Sequence, residues 1–157
     1  MYKINISFRT LHFLRPAGTS RGVYTTRKSY YVTLSDTNQP DVVGIGECAT
    51  LPDLSCDAMT DEEYEQKLRS FCDDFCHTGV IDIDAMRPYP SMLFGLETAK
   101  AQLDAKGSIN FFNTAFGRGE EGITINGLVW MGTFDEMYQR LETKLKAGFH
   151  CVKLKIG

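Results

Sequence analysis

The chain has 157 residues, 43% of them hydrophobic and 24% charged, with a formal net charge of -3. That is enough apolar material for a true core, in one domain or two small ones. The mildly acidic balance gives no bulk attraction to nucleic acid, no run reaches the ~18–20 apolar residues of a membrane span, and the alternating N-terminus lacks a signal-peptide core. A cytoplasmic protein is expected, with no nucleic-acid or membrane partner.

Residues 2–9 read as a strand, with Tyr2, Ile4, Ile6 and Phe8 on one face. Pro16-Ala17-Gly18-Thr19-Ser20-Arg21-Gly22 is rich in turn formers and is expected to be a mobile loop. Residues 29–34 and 42–48 are two more strands, joined through Asp36-Thr37-Asn38-Gln39-Pro40 as a hairpin with a longer loop. Three strands with no helix between them imply an antiparallel sheet.

Helices follow. Thr60-Asp61-Glu62-Glu63 is a capping box, with Thr60 as N-cap and Glu63 at the third helical position. Tyr64, Leu68, Phe71 and Phe75 keep helical spacing until Gly79 ends the helix. Ser91 is read as the cap of a second helix running to about Lys106, with Leu96, Ala99 and Leu103 as its stripe and Gly95, Ala99 and Ala101 allowing close packing. After an apolar connection at 109–116, residues 123–131 read as a strand. Thr133-Phe134-Asp135-Glu136 opens another helix, with Met137, Leu141 and Leu145 inward and Gly148 at its end. The last stretch, Cys151-Val152-Lys153-Leu154-Lys155-Ile156-Gly157, is a strand.

Strand, helix, strand is a βαβ unit, whose strands run parallel with a right-handed crossover. The expected fold is therefore an α+β domain over residues 1–108, then the opening of an α/β domain over 109–157. One βαβ unit cannot cover both faces of a parallel sheet. A fragment of a longer protein is the expectation.

Most local motifs have plain explanations. Five cysteines (48, 56, 72, 76 and 151) form no small-secreted pattern and read as reduced thiols. Cys72, Cys76 and His77 lack the further ligands of a zinc site. Gly117-Arg118-Gly119-Glu120-Glu121-Gly122 matches a dinucleotide-binding spacing, but a strand follows it and two glutamates stand where a pyrophosphate would lie. It reads as a linker. Trp130 and Phe149 read as core. Glu47, at a strand end beside glycines, is either a loop-bracing acid or a support for a site loop.

Lys153 and Lys155 carry two competing readings. Side chains alternate along a strand, so both lie on one face, their Cα atoms roughly 6–7 Å apart. Val152, Leu154 and Ile156 take the other face, towards the helices. The lysine face then points inward, near the C-terminal end of a parallel strand, where α/β barrels place catalytic groups. A solvated edge strand bearing lysines is the alternative.

At this point four segments resemble one family. Gly44-Ile45-Gly46-Glu47-Cys48-Ala49-Thr50-Leu51-Pro52, followed by Leu54-Ser55, resembles a "GxGE…LPG-S" segment, with Asp53 in place of the usual glycine. Residues 91–104, containing Phe94-Gly95-Leu96-Glu97-Thr98-Ala99, resemble an "S-x-x-FGLE-A…D" helix. Ile125-Asn126-Gly127-Leu128 resembles a first barrel strand, and Gly148-Phe149 with Lys153-Leu154-Lys155 a "GF…KxK" second strand. In this order they resemble the enolase superfamily, in the branch containing muconate-lactonising enzymes and o-succinylbenzoate synthases. Residues 16–22 are similar to the capping loop of the Bacteroidetes-type synthases.

The resemblance implies a capping domain followed by the start of a TIM-like barrel, truncated after its second strand. It implies a carbon–oxygen lyase that dehydrates a small-molecule carboxylate, succinyl-hydroxycyclohexadiene-carboxylate, to o-succinylbenzoate in menaquinone synthesis. Lys155 would be the base and Lys153 its electrostatic partner. Ser20, Arg21, Glu47 and Leu51 would contact substrate. A free lysine titrates near ~10.4 and must be lowered towards ~7–8 to act as a base at neutral pH; neighbouring positive charge does this. Mg²⁺ is the implied cofactor, with ligands beyond residue 157, so residues 1–157 alone are expected to be inactive. An N-acylamino acid racemase or dipeptide epimerase of the same superfamily is the second reading. A non-catalytic interaction module is the third.

Overall fold

Alternation in the N-terminal third and two Thr-x-x-Glu boxes set most of the elements. The computed structural model describes residues 1–19, 21–51 and 54–156. In order they are β1 (Tyr2–Thr19), β2 (Gly22–Asp36), β3 (Gln39–Ala49), α1 (Asp61–Thr78), α2 (Ile83–Met86), α3 (Pro90–Asp104), β4 (Gly127–Val129), α4 (Phe134–Lys146) and β5 (Val152–Leu154). The chain divides into two compact units, Met1–Arg15 with Thr25–Asn113 and Pro16–Tyr24 with Thr114–Gly157.

The first unit is built on a three-stranded antiparallel sheet in the order β1-β2-β3. Its inner face supplies Tyr30, Val32, Leu34 and Cys48 to a core completed by Tyr64, Leu68, Cys72 and Phe75 of α1 and Met92, Leu96, Ala99 and Leu103 of α3. Each fully buried large side chain contributes about 1.5–3 kcal/mol. Thr60 caps α1 through the Glu63 N–H, Glu63 returns the bond to the Thr60 backbone, and Gly79 ends the helix at φ 71°. The left-handed value explains the glycine there.

Gly44 and Gly46 bring α3 onto β3, backbone against backbone. A Cβ on Gly46 would stand 1.7 Å from the Gly95 carbonyl oxygen, and one on Gly44 1.9 Å from that of Ala99. Burial pushes the thiols of Cys48 and Cys72, inside this core, up to about 12. All five cysteines are free thiols.

Several local expectations differ from the structure. Within the loop expected at 16–22, residues 16–19 belong to β1 and Gly22 opens β2, Ser20 lying outside the described residues. The Thr19 hydroxyl closes the turn, donating to the Gly22 carbonyl at 3.0 Å and accepting from the Arg21 and Gly22 N–H groups at 3.2 Å. The second hairpin is tighter than expected. Asp36 pairs with Gln39 across Thr37 and Asn38, and the Asn38 N–H donates to the Asp36 carboxylate at 2.9 Å.

Ser91 does not cap α3. The helix begins one residue earlier at Pro90, and its N-cap, Tyr89, makes no side-chain cap bond. The strand expected over 123–131 shrinks to β4 (Gly127–Val129).

The second unit contains β4, α4 and β5. The two strands are parallel, with Gly127 opposite Val152, Leu128 opposite Lys153 and Val129 opposite Leu154. Thr133 and Glu136 form the expected capping box on α4, and Gly148 follows the helix at φ 84°. No residue of α4 is buried. Met137 and Leu141 are half-buried, and Leu145, expected inward, is 57% exposed.

Candidate active site

The parallel register decides where the lysines point. Gly127, Val129, Val152 and Leu154 share one face of the pair, by alternation and by register. A Cβ on Gly127 would meet Phe149 at 3.1 Å and the Lys144 side chain at 3.4 Å, so this is the α4 face. Leu128, Trp130, Lys153 and Lys155 therefore lie on the face turned away from α4. Lys153 is exposed and Lys155 half-buried. The Lys155 N–H donates to the Val129 carbonyl at 2.9 Å, extending the ladder past β5.

Trp130 is not core. It is half-buried, and the Lys155 ammonium nitrogen Nζ stands 4.2 Å from the centroid of its ring. Phe149, also read as core, is half-buried with Lys144 Nζ at 5.3 Å. The segment carrying Trp130 is tied to α4 by Arg140, whose guanidinium donates to the carbonyls of Trp130 and Met131 at 3.1 and 3.2 Å. Gly132 makes room for this: a Cβ there would lie 2.7 Å from Glu136 Oε2 and 3.0 Å from the Arg140 guanidinium. Sequence reasoning missed Arg140. Its spacing marks it only as one more exposed helix charge.

The other expected site residues divide between the units. Ser20 lies outside the described residues. Arg21 belongs to the ribbon end in the second unit, and Glu47 and Leu51 belong to the first. Glu47 lines an open cavity of about 430 Å³ with Arg27, Ala49, Ser55, Cys56, Asp57, Pro90, Ser91 and Phe94. The Nε of Arg27 is buried without a hydrogen-bond partner among the described residues. Leu51 heads the loop that forms one wall. Its N–H donates to Ser55 Oγ at 2.9 Å, and its carbonyl accepts from the Leu54 and Ser55 N–H groups at 3.1 and 3.0 Å.

Asp57, which sequence reasoning also missed, fixes the far end of that loop. It is 3% exposed, and its Oδ2 accepts from the Ser91 N–H at 2.8 Å and the Ser91 hydroxyl at 2.6 Å. With that hydroxyl proton committed, the Tyr64 phenol donates to Ser91 Oγ at 2.5 Å. Burial pushes the phenol up, in keeping with a retained proton. Asp57 thus caps α3 from a distant segment, placing a carboxylate at the positive end of the helix. The serine at the helix start takes part in the cap, as the donor to Asp57 rather than as the capping acceptor.

A divalent cation does not fit the residues on the lysine face, because two ammonium groups repel it. Among the described residues no group of three or more His, Cys, Asp and Glu comes together to hold one. The chain's own chemistry on this face is that of two amines, one of them, Lys155, held beside an aromatic ring.

No protein-family model matches the chain. It is 33% identical, over a 188-residue alignment, to a curated o-succinylbenzoate synthase of Desulfotalea psychrophila, covering all of this chain and 50% of that one. Among solved structures it is similar to MenC from the same organism, at 26% identity and a TM-score of 0.64, over 98% of this chain and 49% of the other. The chain has the enolase-superfamily fold. Its first unit carries the superfamily's capping sheet and helices, and β4–α4–β5 is the opening of the barrel. The chain spans about half the length of the curated relative it matches. A dipeptide epimerase of that fold from Cytophaga hutchinsonii, solved with Mg and the dipeptide D-Ala-L-Val, is 17% identical with a TM-score of 0.62, over 98% of this chain and 43% of its own. No helix among the described residues is long and apolar enough to cross a membrane.

Proposed function

We propose that the full-length protein carrying this chain is an o-succinylbenzoate synthase acting in the cytoplasm in menaquinone biosynthesis. In this reading residues 1–108 are the capping domain and residues 109–157 open the barrel. One observation carries the chemistry: Lys153 and Lys155 share the face of a parallel pair turned away from its helix, with Lys155 hydrogen-bonded in register beside Trp130. The substrate is assigned from the similarity along the whole chain to a curated enzyme of that activity.

Lys155 takes the proton α to the substrate carboxylate. The C–H electrons move into the carboxylate, and the charge that develops there is met by the Lys153 ammonium. Those electrons then return to form the ring double bond. The hydroxyl on the neighbouring carbon leaves, taking up the abstracted proton as water, and Lys155 is restored. Mg²⁺ is part of this proposal only as a group held by other residues of the full-length protein. Ser20, Arg21, Glu47 and Leu51 contact the substrate from the capping domain.

The test is turnover by the full-length protein and its Lys155→Ala variant. Formation of o-succinylbenzoate is expected, falling about 10²–10⁴-fold in the variant, the usual contribution of a general base. Epimerisation of dipeptides without dehydration would move the assignment to the dipeptide epimerases. Unchanged dehydration by Lys155→Ala would overturn the role given to Lys155.

A further inference from the structure

A lysine side chain on an open strand face has four rotatable bonds and no fixed place for its nitrogen. Proton abstraction needs that nitrogen within hydrogen-bond reach of the substrate carbon's proton, and misplacement by about 1 Å can cost about 100-fold. Among the described residues no carboxylate pairs with Lys155; its nitrogen rests on Trp130, 4.2 Å from the ring centroid. The register explains the contact. Val129 pairs with Leu154, and the next residues along, Trp130 and Lys155, fall on the same face.

Trp130 is itself held from behind. Its carbonyl accepts from Arg140, Arg140 lies 3.8 Å from Glu136, and Glu136 closes the capping box with Thr133. The start of α4 is thereby tied to the backbone at the end of β4 that carries the indole.

We propose that Trp130 is the positioning residue for Lys155. Its ring face packs against the Lys155 side chain before the amine takes the proton and stabilises the ammonium that forms afterwards. This rests on the base assignment above and adds a residue that acts only through Lys155. The ring's electrostatic face is what the role requires, so bulk without that face should not replace it.

The test uses the full-length protein with Trp130→Phe, Trp130→Leu and Lys155→Ala, each checked for an unchanged melting temperature. Trp130→Leu is expected to lower kcat about 3- to 30-fold, the worth of a cation over an aromatic face, with KM held within about 2-fold. Trp130→Phe, which keeps an aromatic face, is expected to recover most of that loss. Full kcat in Trp130→Leu alongside an inactive Lys155→Ala overturns the positioning role and leaves the base assignment standing. An active Lys155→Ala overturns the base assignment instead.

A second readout needs no turnover and no loss of the ring. Trp130 fluorescence, isolated as the difference between wild type and Trp130→Phe, is expected to change in intensity when Lys155→Met removes the nitrogen. An unchanged signal overturns the contact on which the proposal rests.

Discussion

The two units solve the same packing problem to different extents. Both have strands covered on one side by helices, and in each one of those helices, α1 or α4, opens with a Thr-x-x-Glu box. In the first, α1 and α3 bury Leu68, Phe75, Leu96 and Ala99 against the sheet. In the second, no residue of α4 is buried, although Val129 of β4 is, and Leu128, Leu154 and Ile156 remain exposed, the last at 81%. Identical local helix signals thus sit on a closed core in one unit and on an open one in the other. Stability belongs to the capping unit, and the lysines that carry the proposed chemistry sit on the unit with little core of its own.

The sharpest way to break this contrast is at the seam between β3 and α3. Gly46→Ala would place a methyl group 1.7 Å from the Gly95 carbonyl oxygen. Backbone cannot yield as a side-chain tip can, so the expected loss is about 3 kcal/mol in chemical denaturation, confined to the capping unit. A variant as stable as wild type would mean that the two backbones are not in contact.

Next comes Asp57→Ala. It removes a carboxylate that accepts two bonds from Ser91, leaving the N-terminus of α3 without a cap. About 2 kcal/mol of stability is expected to go, and hydrogen exchange at the first turn of α3 should quicken. Protection unchanged at that turn would count against remote capping.

The smallest effect is electrostatic. The Thr60 backbone N–H, bonded to Glu63, holds that carboxyl below the usual carboxylate range, with the Thr60 hydroxyl assisting. A folded-state value below the unfolded one gives stability that is present above the unfolded value, about 4.3, and lost as pH falls through the lowered one. Glu63→Gln should therefore lower the neutral plateau slightly and flatten the acid limb of the stability curve, the two proteins converging at low pH. An acid limb of undiminished slope would remove Glu63 from the account.

Much of this was readable from residue order because it is local. Thr60, Glu63, Gly79 and Thr133 act on neighbours within one turn, and the structure finds each where spacing put it. Parallel pairing of β4 with β5 followed from the intervening helix. The misreadings come from competition at longer range. Ser91 looks like a helix cap until Asp57, 34 residues away, takes both of its protons. Residues 16–22 look like a loop because glycine, proline and serine favour turns, yet the Thr19 hydroxyl closes a tight one. Trp130 looks like core because indole is large and apolar; its contact with Lys155 appears only once two strands 25 residues apart are set in register. Asp57 and Arg140 carried no usable signal, since an acid in a loop and a base on a helix are ordinary.

The Asp57 tether also bears on redesign of the substrate preference. Between β3 and α1, residues 51–57 begin at a residue proposed to touch substrate and end at one bonded to the start of α3. Grafting a different loop there would leave the helix intact only if an acid were retained at position 57. Libraries built on Leu51, Leu54 and Cys56 can vary in side-chain chemistry, while Ser55 braces Leu51 and position 57 sets the anchor point from which any new loop must be measured.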